Sequence, residues 1–420
     1  MMLRGLLALC VLVWAVGLVG VLLAPEPAGA ESRESTPALA ERLAAEVAEP
    51  LDRQLVGFTI NLHRPTDIAE TLTAVDAVAD LGANTLQLTV PVFQDHGSSD
   101  GPRRIERIGK SPSRDQMLAV LGHAKQRGLK TILLWQINFE NPRGNEWRGK
   151  IQPPDWDRWW EDYRALLEFH ARVAAQAEAD VLVIGCELLS THQAEYRRHW
   201  LEAAELARTH FGGRLVYSST WDSFHSYPAW DALDLVGVSG WWNLTRNAVD
   251  ADHPTDAELD ARWAEIRASL ADFSSRAGRP LLITEVGYPS IPWALRDPWN
   301  YIPKSDTKPD GQAQAKGYES FLRGWQGVIA PGTHASAATN TNPSQWAGVL
   351  FYEWQPWGEP GGPDDYGYAV RNKPAEALLR QWFKPAMPRA SPPNPTAAPD
   401  ATAPTAPDTR PATLPGHGQG

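Results

Sequence analysis

The chain has 420 residues, 43% of them hydrophobic and 21% charged, a balance that builds one large globular core with appendages and excludes a small module or a wholly disordered chain. Its formal net charge of -11 repels phosphate backbones and anionic lipid surfaces, so nucleic acid is not expected as a partner.

At the N-terminus Arg4 precedes an uncharged apolar run from Gly5 to Leu23, then Pro25, Pro27 and the small triplet Ala28-Gly29-Ala30. Residues 1–30 therefore read as a secretory signal cut after Ala30. The alternative is an uncleaved membrane anchor, because the run is nearly long enough to span a bilayer. Either way the rest of the chain is expected outside the cytoplasm, secreted or periplasmic. Cys10 falls in this segment, which leaves Cys186 alone and the fold without an intramolecular disulfide. Residues 31–49 read as a short lead-in, 50–384 as the folded domain, and 385–420 as a disordered tail of Pro, Ala, Thr and Gly that has too little apolar surface to fold.

Between these ends β-branched apolar runs alternate with amphipathic helical stretches. The runs are Leu55–Leu62, Thr85–Phe93, Lys130–Phe139, Val181–Glu187, Arg214–Thr220, Leu235–Trp242, Pro280–Gly287 and Gly348–Trp354. Ile68, Leu72, Val75 and Ala79 share one helical face, and Trp156 to Ala177 and Thr191 to His210 are long enough for several turns. Repeated strand–helix units imply a parallel sheet, and eight of them fit a closed (β/α)8 TIM barrel, an α/β fold. An open doubly wound sheet would carry a glycine-rich phosphate loop after its first strand, which Gly57 to His63 lacks.

Barrel active sites form where strands end at the C-terminal face. Glu187, Glu285 and Glu353 terminate or follow apolar strands there, and a carboxylate at the end of a core strand is costly unless it has partners or a task. The same face carries Trp135, Asn138, Trp241, Trp242, Tyr288 and Trp354, and the whole chain has 19 Trp against 10 Phe. Paired carboxyl groups flanking an acetal, with aromatic faces for a sugar's C–H surface, are what glycoside hydrolysis requires. His63, His96, His192 and His225 lack the spacing of metal ligands, so neither a metal nor another cofactor is expected. Trp156, Trp159 and Trp160 have helical spacing and read as core, whereas for Trp293, Trp299, Trp346 and Trp357 sugar stacking and loop packing both stay open.

The segments Gly185-Cys186-Glu187-Leu188 and Ile283-Thr284-Glu285-Val286-Gly287-Tyr288 resemble the strand-four and strand-seven motifs of clan A glycoside hydrolases, which are retaining (β/α)8 enzymes. Gly82-Ala83-Asn84-Thr85, Trp147-Arg148-Gly149-Lys150-Ile151 and the helix from Trp156 through Trp159, Trp160 and Tyr163 narrow the resemblance to glycoside hydrolase family 113, the endo-β-mannanases. The resemblance implies Glu187 as acid/base, Glu285 as nucleophile and Trp354 as the aromatic floor of the sugar site. Trp135, Asn138, Trp147, Trp241, Trp242, Tyr288 and Glu353 complete the expected substrate-binding set. Three positions depart from the clan pattern. Cys186 stands where most members have an Asn for the sugar's 2-hydroxyl, a contact Asn138 could supply instead. Trp241-Trp242 replaces a Tyr-containing segment on strand six, and Glu353 is an added carboxylate that could raise the pKa of a neighbouring acid.

The expected activity is retaining cleavage of a polysaccharide, β-1,4-mannan by resemblance, by a monomer using two glutamates. The carboxyl groups should then lie roughly 5–5.5 Å apart, with Glu285 ionised and Glu187 protonated. The alternatives are a non-catalytic glycan-binding barrel with a degenerate site and a metal-dependent hydrolase.

Overall fold

A computed structural model describes residues 34–48, 51–63, 68–106, 109–331, 345–356 and 361–384. The expected signal segment, the tail and Trp357 lie outside the described residues. In chain order the elements are α1 (Thr36–Ala45), β1 (Leu55–Asn61), α2 (Ile68–Leu81), β2 (Thr85–Gln94), α3 (Arg114–Gln126), β3 (Lys130–Phe139), α4 (Trp156–Gln176), β4 (Val181–Cys186), α5 (Arg197–His210), β5 (Arg214–Thr220), β6 (Leu235–Ser239), α6 (Asp256–Ala277), β7 (Leu281–Val286), α7 (Gly311–Gly324), β8 (Trp346–Phe351) and α8 (Pro374–Phe383). The strands pair in parallel in sequence order, and β8 closes on β1, giving the (β/α)8 TIM barrel that the alternation of strand and helix text implies.

Two apolar layers hold it. Inward side chains such as Leu55, Ile132, Leu134, Val181, Val183, Val216, Leu282 and Leu350 fill the barrel, while Phe58, Leu133, Leu182, Val236 and Ile283 face the helices. That division follows the two-residue period of strands. Helix ends are set locally: Ser113 with Gln116 and Thr255 with Glu258 form capping boxes, and Gly278 closes α6 in the left-handed conformation.

Between β5 and β6 there is no α-helix, only the short 3-10 turns Phe224–Ser226 and Trp230–Ala232. Helix α1 packs against α5 and the second of these turns, burying Leu39, Ala40 and Leu43 where a helix following β5 would otherwise sit. Arg42 pairs with Glu205 of α5, and the Ala48 N–H donates to Asp234 Oδ1 at 2.7 Å. The lead-in thus contributes to the outer layer of the barrel.

Candidate active site

Each of the two glutamates owes its position to an irregularity in its strand. On β4 the pairing with β5 shifts between Val183 and Gly185, and Glu187 follows with φ 55°, a left-handed conformation that costs a non-glycine residue about 1–3 kcal/mol. The backbone holds it there: Glu187 N–H donates to the Ser218 carbonyl at 2.8 Å and Leu188 N–H to Tyr217 Oη at 2.8 Å. Gly185 leaves room for the turn, since a Cβ there would meet Tyr163 Oη at 2.7 Å. On β7 the register with β8 shifts between Ile283 and Val286. Ile283 and Val286 both face the helices, so strict alternation is broken and Glu285 turns into the mouth. Gly240 N–H reaches the Glu285 carbonyl at 2.6 Å and fixes β6 against it.

Glu187 and Glu285 are both buried, at 8% and 6% exposure. Ser239 Oγ donates to Glu187 Oε1, and the Arg148 guanidinium lies 3.5 Å from Glu187 Oε2 while donating to Gln136 Oε1 at 2.9 Å. Burial opposes charge on Arg148, but Glu187 first, and then the Cys186 sulfur and Glu285, outweigh it and hold the guanidinium above its ordinary value. Burial first, and then the neighbouring Glu187, push Glu285 up to about 8, against the lowering effects of Arg148 and of Trp241, whose Nε1–H donates to Glu285 Oε2 at 3.2 Å. The indole of this strand-six segment thus supplies a donor to Glu285. Glu353 adds to the upward push on Glu285 and is itself raised to about 7, chiefly by burial, although Asn61 Nδ2 donates to its Oε2.

Burial and the neighbouring Glu187 thus favour the protonated form of Glu285, while Arg148 lies beside Glu187. Cys186 is placed differently from a sugar contact: it is 2% exposed, packs in the barrel interior and accepts from Arg148.

The other expected contacts divide. Trp241 lies against Glu285; Glu353 is buried and adds to the electrostatics of Glu285; Asn138 is half-buried on the inward face shared with Gln136; and Trp147 is half-buried at the rim above Gly149. Four do not reach the cleft. Strand β8 ends at Phe351, so Trp354 lies beyond the mouth; it is 1% exposed, with its ring edge-on to Phe58 at 5.3 Å and Arg371 and Arg380 over it at 5.8 Å. Trp135 alternates outward onto His170 at 5.0 Å, Trp242 meets Trp263 of α6 at 5.7 Å, and Tyr288 meets Tyr318 of α7 at 5.2 Å. Trp159 and Trp160 are core, as their helical spacing indicates, and Trp346 is buried in β8.

Arg148 and Tyr352 belong to the site and were not singled out from sequence. Tyr352 directly follows β8, accepts from Asn61 Nδ2 at 2.9 Å and packs its ring against Trp241 at 5.2 Å. Charge balance is the signal that points to Arg148, since three buried carboxylates on one face call for a cation. Lys373 answers the same need behind Glu353, with Nζ bonded to Asp365 Oδ2 at 2.7 Å and Ser290 Oγ at 2.7 Å. Among the described residues no three His, Cys, Asp or Glu side chains are grouped to hold a metal ion.

The family model for Glycoside Hydrolase Family 113 matches residues 66–327. No curated protein sequence matches the chain. Among solved structures, a GH113 β-1,4-mannanase in a complex superposes with a TM-score of 0.65 at 19% identity, covering 79% of this chain and 99% of that one. The GH113 β-mannanase AaManA from Alicyclobacillus acidocaldarius, in complex with ManMIm, gives 0.64 at 22% identity, over 79% of this chain and 97% of that one. At such identities these structures speak for the shared fold. The family model spans more than half of the chain and includes both glutamates, so the chain belongs to glycoside hydrolase family 113 and is a glycoside hydrolase.

Proposed function

We propose that this glycoside hydrolase is a retaining β-mannanase that uses Glu187 and Glu285 in a double displacement. The observation that carries the reading is the pair of buried carboxyl groups at the ends of β4 and β7, with Arg148 beside Glu187 and Trp241 on Glu285. A site that only binds glycan has no use for two such groups. In the reaction Glu187 protonates the leaving oxygen as Glu285 attacks the anomeric carbon; Glu187 then takes a proton from the water that releases the sugar. One proton shared by the pair is the charge state this chemistry needs. In the productive state that proton sits on Glu187, and the Trp241 N–H supports the charge on Glu285.

The names of the structurally similar mannanases support a β-1,4-mannan substrate. The apolar run Gly5–Leu23 and the small residues after it support action outside the cytoplasm. The test is incubation of the protein with β-mannan, glucomannan, β-glucan, chitin and peptidoglycan, reading new reducing ends. Release from β-mannan that is lost in Glu187→Gln and Glu285→Gln is the expected result; release from another polymer alone would overturn the substrate, and no release from any would overturn the enzyme reading.

A further inference from the structure

Among the described residues only Val249, Trp299, Tyr301 and Ile302 are large hydrophobics left exposed, and three of these four fall in one short stretch of the loop between β7 and α7. Exposed apolar patches on a soluble domain usually mark a binding surface. Trp299 is 45% exposed and Tyr301 56%. The stretch is built rather than loose. Trp299 stacks on Trp221, the residue after β5, at 5.8 Å with the rings 17° apart, and so bridges the β5 and β7 sides of the mouth. The Pro298 carbonyl accepts from Tyr368 Oη at 2.6 Å, and the Asn300 carbonyl from Trp293 Nε1 at 3.0 Å.

The stretch is also continuous with the catalytic pair. Tyr301 packs on Tyr368 at 5.7 Å, Tyr368 on Trp241 at 5.2 Å, and Trp241 donates to Glu285. The surface therefore begins within a few sugar units of the cleavage point and lies on the same face of the barrel. Flat rings held with one face free suit the C–H faces of pyranoses, and an uncharged polymer chain needs no countercharge from its platform.

We infer that Trp299 and Tyr301 form a distal glycan subsite that stacks sugar units of the polysaccharide beyond those held at Glu187 and Glu285. The inference rests on the glycan reading of the cleft and adds where the rest of the chain lies. A platform outside the reaction centre strengthens the hold on long chains and leaves the chemistry at the glutamates unaltered.

The test uses the full chain carrying Glu285→Gln, so that polymer is bound and not degraded, alone and combined with Trp299→Ala or Tyr301→Ala. Electrophoretic retardation is measured in gels containing β-mannan, glucomannan or β-glucan, with melting temperatures recorded alongside. Retardation of the parent by β-mannan that weakens about tenfold in each aromatic variant, at unchanged melting temperature, is the expected result. The same loss seen only in another glycan would uphold the subsite while removing mannan as the substrate. Equal retardation of parent and variants, or no retardation of the parent in any gel, would overturn the inference. So would a parent that sediments as a dimer and becomes monomeric on Trp299→Ala without a change in glycan binding.

Discussion

Arg148 sets the electrostatics of the mouth, and its effect can be separated from that of Glu353 because the two act on Glu285 with opposite sign. Arg148 lowers the Glu285 pKa and Glu353 raises it, against a dominant burial effect that leaves the carboxyl at about 8. In the proposed double displacement the pair carries one proton, so the alkaline limb of kcat/KM, which reports loss of that proton from the free enzyme, should fall well above the ordinary carboxylate range. Glu353→Gln should move that limb to lower pH, and Arg148→Gln to higher pH. A pH profile of each variant on one soluble substrate checks this, and movement of both limbs in the same direction would contradict the placement of these charges. Glu187→Gln should slow natural glycosides by about 10²- to 10⁴-fold, the usual contribution of a general acid. Aryl glycosides with good leaving groups need little proton assistance, so their glycosylation step should be much less affected. Equal losses on both substrates in pre-steady-state measurements would assign Glu187 to structure instead.

At the scale of the strand, where an element stops and where its register slips decide which side chains enter the cleft. The apolar runs reveal the strands, and Glu187 and Glu285 are legible because each interrupts such a run at the mouth. Their inward aim is not legible, because it depends on shifts at Gly185 and between Ile283 and Val286 that hydrophobic periodicity does not encode. For the same reason Trp135, Trp242 and Tyr288 read as cleft residues yet face helices. Arg148 comes from a 3-10 turn in a loop, where no period exists to read. Strand β8 shows the consequence most directly. It ends at Phe351, which puts Tyr352 beside Asn61 and Trp241 and sends Trp354 into the packing around Phe58. Trp354→Ala should therefore destabilise the fold by roughly 3–5 kcal/mol, the usual cost of emptying a large buried aromatic site. Below its melting temperature the variant should keep wild-type affinity for oligosaccharide. Tyr352→Ala should do the reverse, weakening the sugar with a smaller change in stability. Thermal melts paired with titration calorimetry separate the two, and a Trp354→Ala protein that melts normally but binds poorly would return that indole to the cleft.

For the whole molecule, gathering three carboxylates under one barrel mouth couples stability to pH. In the unfolded chain Glu285 and Glu353 titrate near 4.5; in the folded protein they are raised to about 8 and about 7. Between those values the native state binds more protons than the unfolded state, so stability falls as pH rises. The protonated contribution is fully present below about pH 4.5 and is lost as pH climbs through the folded values. Carboxylates held below their ordinary values, such as Glu146 and Glu258, act with the opposite sign, but only in the acid range. The decline from about pH 5 to about pH 9 therefore belongs largely to the buried glutamates. Around Glu353 the facing charges partly cancel, Asp365 raising its pKa and Lys373 lowering it, so burial dominates. Gln cannot ionise, and its side-chain oxygen can still accept from Asn61. Glu353→Gln should melt with the wild type near pH 5 and several degrees above it near pH 9, flattening the curve. Removing a carboxylate next to the reaction centre would then stabilise the fold while altering the pH at which Glu285 ionises, the exchange expected where function keeps a costly group in place. Melting curves of the two proteins across this range decide the matter; parallel curves would mean that Glu353 titrates as a solvent-exposed carboxyl and lies outside the buried cluster.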